Sequence, residues 1–184
     1  MQIQAHLLEP FFHHEVHNIF EGKLGLNEPR VTAYVARLLC NFAETDSLFL
    51  VRGAGGHTVD ELNAMRLAAD PVHGTAPSFD AERAMRKYIG DYALFVGGMV
   101  PEAIDTGLGT CSPRRPTHGE LIIAGKESYY IVSQFNVFEY KKEAPMFERL
   151  CDQFERYMLG LSLVREELRK RLVLPQQASH GSTG

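Results

Sequence analysis

The segment 77–101, PSFDAERAMRKYIGDYALFVGGMVP, constrains the fold more than any other part of the chain. Ala81, Met85, Tyr88, Tyr92, Phe95 and Met99 recur at alternating steps of four and three, the spacing that lines up one face of an α-helix. Ser78 is a natural N-cap, Asp80 and Glu82 suit the positive end of the helix dipole, and Pro101 stops the run. A helix is therefore predicted over 78–100. Gly90 and Asp91 sit near its centre, where glycine costs about 1 kcal/mol against alanine and aspartate is a poor helix former. Such a conflict between local propensity and the evident element marks tight packing or a site.

The rest of the chain repeats the helical period. Leu8, Phe12, Val16, Ile19 and Phe20 share one face of a first helix over 8–22. Asn27 is read as the cap of a second, with Pro29 in its first turn and a stripe of Val31, Tyr34, Val35, Leu38, Leu39 and Phe42. A loop follows, with an apolar piece from Leu48 to Val51 and then RGAGG. Thr58 and Glu61 form a capping-box signature that opens a third helix ending near Ala69. After the fourth helix and a loop rich in Gly, Pro and Thr, the stretch 120–138 is expected to be helical, with a β-hairpin as the alternative. Phe147, Leu150, Cys151, Phe154, Tyr157, Met158, Leu161, Leu168 and Leu172 predict one last helix from about Pro145. The expectation is an all-α, single-domain bundle of five or six helices over 1–175, followed by a disordered polar tail at 176–184.

Composition narrows the function classes. The 184 residues are 45% hydrophobic and 23% charged, as in ordinary soluble domains. A net charge of -4 without a basic stripe argues against a nucleic-acid partner. No apolar run approaches the roughly 20 residues that span a bilayer, and no secretory leader is recognisable, so no membrane partner is expected. Cys40, Cys111 and Cys151 are odd in number and form no C-x-x-C pair, which fits a reducing, cytoplasmic setting. Cys40 and Cys151 fall in helical patterns as small hydrophobes; Cys111, in a loop, is the one thiol to test for reactivity.

Four of these segments also carry a resemblance: residues 34–42 (YVARLLCNF), 90–98 (GDYALFVGG), 125–129 (GKESY) and 146–154 (MFERLCDQF). The chain resembles a family of bacterial all-helical proteins that read Y-(L/V)-x-x-L-L-x-x-F, GD-x-x-LF-x-x-G, G-x-x-x-Y and (L/M)-F-x-x-L-x-x-x-F in that order. Where similar proteins often have a Tyr-Tyr pair, this chain has Leu121 and Ile122. The resemblance implies a helical fold in a bacterial protein. It implies no activity.

Two constellations carry chemistry. A carboxylate at Asp91 inside a bundle is an acid, a base or a ligand anchor, unless Lys87 one turn back simply pairs with it. Tyr92 and Tyr129 bring hydroxyls to apolar faces and need partners, either Asp91 in a polar network or a bound ligand; Asp91, Tyr92 and Tyr129 are the candidate ligand-binding set. On the first helix, Glu9, His13, His17 and Glu21 recur at steps of four, and His13 and His17 are the candidate metal ligands. HHEVH is not HExxH, and no paired ExxH appears, so metalloprotease and di-iron geometries are absent. RGAGGHT lacks the third fingerprint glycine and a P-loop Lys-Ser/Thr pair. Arg114 and Arg115 lie between prolines in a loop suited to an anion or a partner, or to solvent. The leading expectation is a non-catalytic cytoplasmic module that binds a protein partner or a small ligand, with a homodimer as one form. The competing one is a metal-binding helical protein or enzyme built on His13, His17 and a nearby carboxylate from another helix.

Overall fold

The computed structural model describes residues 5–44, 57–70, 72–105 and 114–173, and three of its helices start where the side-chain caps Thr58, Ser78 and Thr117 place them. They are α1 (Ala5–His17), α2 (Pro29–Glu44), α3 (Val59–Ala68), α4 (Phe79–Met99), α5 (His118–Gln134), α6 (Ala144–Asp152) and α7 (Phe154–Val173). A π-helical turn at Asn18–Lys23 prolongs α1, and 3-10 turns cover Pro101–Ala103 and Phe138–Lys142. Among the described residues there is no strand, so the chain is an all-α bundle, with seven α-helices rather than five or six. None of these helices is long and apolar enough to cross a membrane. The 48–51 piece, the 52–56 glycine run, Cys111 and the 176–184 tail lie outside the described residues.

Capping chemistry resolves the uncertain segments. The stretch expected to be helical over 120–138 is helix as far as Gln134, and α5 begins two residues early because Thr117 and Glu120 form a second capping box. Thr117 Oγ1 accepts the Glu120 N–H at 3.3 Å while the Glu120 carboxylate accepts the Thr117 N–H at 2.9 Å. Arg114 donates to both Glu120 oxygens, at 3.0 and 2.6 Å, and this contact above all holds the Glu120 carboxyl down at about 2. Ser78 caps α4 as expected, accepting the Ala81 N–H. At α2 the expectation needs correcting. Thr32 N–H bonds the Glu28 carbonyl, so Glu28 rather than Asn27 occupies the cap position.

The first helix turns over into its π turn before Gly25, whose φ of +63° lets the chain leave the helix. This turn buries Ile19 and Phe20, and Phe20 lies against Tyr157 of α7. The expected single carboxy-terminal helix is two helices, α6 and α7, which part at Gln153.

α4 is the axis of the bundle, packed mainly against α5 and α7 and touching α2 and α3. It does not bury one stripe as its period suggested. From Ile89 to Gly98 every residue is buried except Asp91, whereas Tyr88 is exposed. Neighbours on several sides enclose the second half of the helix, so its apolar residues wrap all round.

Its glycines answer to this crowding in different ways. A methyl group on Gly97 would meet the mobile thioether end of Met158, which can swing aside. On Gly98 it would lie 2.5 Å from Leu161 Cβ and 2.9 Å from the Met158 carbonyl oxygen, neither of which can move without shifting α7. Alanine gains about 1 kcal/mol in helix propensity at either site. Gly97→Ala is therefore expected to be close to neutral, and Gly98→Ala to lose up to about 2 kcal/mol net, because overpacking costs roughly 1–3. Urea denaturation midpoints of the two variants check this, and equal shifts would refute it.

Candidate functional site

Asp91 is the point where three helices exchange polar groups. Tyr34 of α2 donates its hydroxyl to Asp91 Oδ1 at 2.5 Å, and Tyr129 of α5 donates to the same oxygen at 2.8 Å. Lys87, one turn back on α4, donates to Oδ2 at 2.7 Å, and its ammonium lies 5.1 Å from the Tyr34 ring centroid. Tyr129 is fully buried and Tyr34 nearly so. Burial, reinforced by the neighbouring Asp91, raises both phenols well above their usual value, so both remain donors.

The helix period creates this hub. Gly90 removes the side chain that would block Tyr129: a Cβ there would stand 2.5 Å from the Tyr129 ring. The glycine and the aspartate are thus one device, the first letting α5 approach and the second receiving its hydroxyl. Asp91 and Tyr129 come together as the sequence suggested.

Tyr92 does not join them. Its hydroxyl accepts the backbone N–H of His57 at 2.7 Å, on another side of α4, and burial pushes the phenol up to about 12. The His57 ring meets the Tyr88 hydroxyl at 3.0 Å and packs on Tyr92, with ring centroids 4.7 Å apart. Tyr34 takes the place expected for Tyr92. Its signal was available, since a tyrosine within an otherwise apolar stripe brings a hydroxyl that needs a partner.

The hub forms part of the wall of a cleft of about 790 Å³. Tyr34, Lys87 and Asp91 line it, joined along α2 by Arg30, Ala33, Arg37, Leu38 and Asn41. Glu9 of α1 closes one side; Lys142, Glu143 and Met146 close another. Arg30 donates to the Lys142 carbonyl at 3.0 Å and so spans the cleft mouth. Glu143 accepts from Arg83 at 2.6 Å, and that guanidinium stacks on Tyr140 with 3.9 Å to the ring centroid. Sequence reasoning missed Arg30, Arg37 and Lys142 as a group, because α2 and the turn before α6 are far apart in the chain.

The first-helix histidines sit elsewhere. His13 and His17 are exposed, with stacked rings whose centroids are 6.4 Å apart. His17 Nδ1 lies 3.2 Å from Glu21 of its own helical run. Among the described residues no group of three or more His, Cys, Asp or Glu is placed to hold a metal ion, so these two gain no third donor from another helix. Glu15, between them in sequence, is instead buried and lies 2.7 Å from Arg171 of α7. Arg114 and Arg115 likewise have internal partners, in Glu120 and the Glu102 carbonyl.

No protein-family model, curated protein or solved structure matches the chain. The site is therefore read from its own geometry.

Proposed function

We propose that the chain is a non-catalytic module that binds a small ligand in the cleft between α1, α2, α4 and the turn preceding α6. The cleft itself carries this reading. Its volume of about 790 Å³ falls within the roughly 300–1,000 Å³ typical of small-molecule sites, and its mostly polar and charged lining includes apolar wall at Ala33, Leu38 and Met146. The state of Asp91 supports a non-catalytic role. Both of its oxygens are already engaged by donors, and the two phenols beside it are held protonated. A general base needs a free lone pair aimed at substrate, and here three donors already occupy three of the roughly four acceptor positions of the carboxylate.

A fragment screen by ligand-observed NMR tests the reading, run on the wild type and on Ala33→Trp. Ala33 lines the cleft and contributes no group to the Asp91 hydrogen bonds, so an indole there occupies ligand space without removing a hub residue. Fragments that bind the wild type and fail to bind the variant are the expected result. An absence of hits, or hits bound equally by both proteins, would defeat the proposal.

A further inference from the structure

The charges around the cleft do not balance, and the imbalance points to the ligand. Among the described residues, three carboxylates and four cations line it. Two of the carboxylates are spoken for: Asp91 by Lys87, and Glu143 by Arg83. Arg30, Arg37 and Lys142 are left with Glu9 as the one other acidic side chain of the lining, and none of the three forms an ion pair among the described residues. This positive excess occurs in a chain whose net charge is -4.

The placement of these cations is specific. Arg30 and Arg37 lie seven residues apart on α2, two turns and about 10 Å along its axis, on the stripe that faces the cleft. Arg30 uses one Nη1 donor on the Lys142 carbonyl, which fixes its guanidinium at the mouth and leaves its other N–H groups available. Arg37 has no side-chain hydrogen bond or ion pair among the described residues. Guanidinium forks match the paired oxygens of carboxylate and phosphate groups, whereas a lone ammonium does not. Beside them, Leu38 and Met146 offer apolar wall.

We infer that the ligand is a small organic anion, a carboxylate or phosphate monoester with an apolar body. Its charged end sits between Arg37 and Arg30 with Lys142 opposite, and its body lies on Leu38 and Met146. This inference rests on the cleft being a ligand site, and the test separates the two. Phenyl phosphate, benzoate, benzyl alcohol and benzylammonium are titrated at low ionic strength into isotope-labelled protein, with amide shifts of residues 30–41 and 141–146 as readout. The expected result is saturable binding of the two anions at the cleft, at least tenfold tighter than benzyl alcohol, with benzylammonium silent. Arg37→Ala should weaken phenyl phosphate at least fivefold and Arg37→Lys less, and binding should fall as salt rises. Arg37 is exposed and unpaired among the described residues, so its removal leaves the fold intact; Lys142→Ala is an independent second variant with the same expectation.

Preferential binding of benzyl alcohol or benzylammonium at the cleft would overturn the anion assignment while keeping the ligand site. Anion binding unchanged by both Arg37→Ala and Lys142→Ala would also overturn it, as adventitious association. Silence of all four probes would remove the ligand site and the anion assignment together.

Discussion

Asp91→Ala is expected to destabilise the protein by about 2–5 kcal/mol, one of the two largest losses from a single substitution in this chain. The cost comes mainly from the groups left behind. A buried donor without an acceptor costs about 1–3 kcal/mol, and the substitution takes the shared charged acceptor from Tyr34 and Tyr129, leaving the two hydroxyls only each other, so that one of the two O–H groups is orphaned. Tyr129 is fully buried and has no water to turn to. Lys87, about a third exposed, can swing its ammonium into solvent and contributes less. Asp91→Asn should fall between: its carbonyl still accepts a phenol, but its amide faces the ammonium, donor to donor. Tyr34→Phe should cost only about 1 kcal/mol, since Asp91 keeps two of its three donors. Equilibrium urea unfolding of the three variants would show this order. If Asp91→Ala instead keeps wild-type stability and loses only ligand, Asp91 belongs to the binding machinery rather than the frame.

Phe154→Ala should cost about 3–5 kcal/mol, the range for deleting a fully buried aromatic ring. This ring lies on bare backbone: a methyl group added to Gly125 would come within 2.5 Å of its Cε2 atom. It also packs on Tyr129, with centroids 5.9 Å apart, so its loss loosens the support behind the Asp91 hub. No neighbouring side chain exists at Gly125 to fill the void. The coupling has a sign that can be measured. Gly125→Ala alone should destabilise by overpacking, and the same change beside Phe154→Leu should cost less, because the smaller residue vacates the contested space. Thermal or urea unfolding of the double-mutant cycle reads this directly. Strict additivity would mean the two residues do not compete.

Much of this fold is written in the local pattern. The Thr58–Glu61 box, the Ser78 cap and the proline at 101 all act within one or two turns, and the helices obey them. Thr117 and Glu120 carry the same signal, and reading it would have decided the helix-or-hairpin question for α5. The break between α6 and α7 was not legible for a specific reason. Phe147, Leu150, Phe154, Tyr157, Leu161 and Val164 are all fully buried and keep steps of three and four straight through it. A hydrophobic period reports which side faces inward and is silent about a bend that preserves that side. Half of the site was visible: Gly90 and Asp91 stood out because they oppose helix propensity, and Tyr129 because a buried hydroxyl needs a partner. The cationic wall was not, since nothing local to α2 says that Arg30 and Arg37 share a cleft with Lys142 until α4 and the turn before α6 are folded against them.

The bend at Gln153 has a mechanical consequence. α6 carries Met146 at the cleft and packs on α5, whereas α7 packs on α4 and against the π turn after α1. Had the two been one continuous rod, any widening of the cleft on that side would have dragged the carboxy-terminal half of the core with it. As built, the nine residues of α6 form a short arm jointed at one residue. Any yielding of that wall would have to unseat the fully buried Phe147 and Leu150 of α6, whereas Tyr157, Leu161 and Val164 lie beyond the joint on α7.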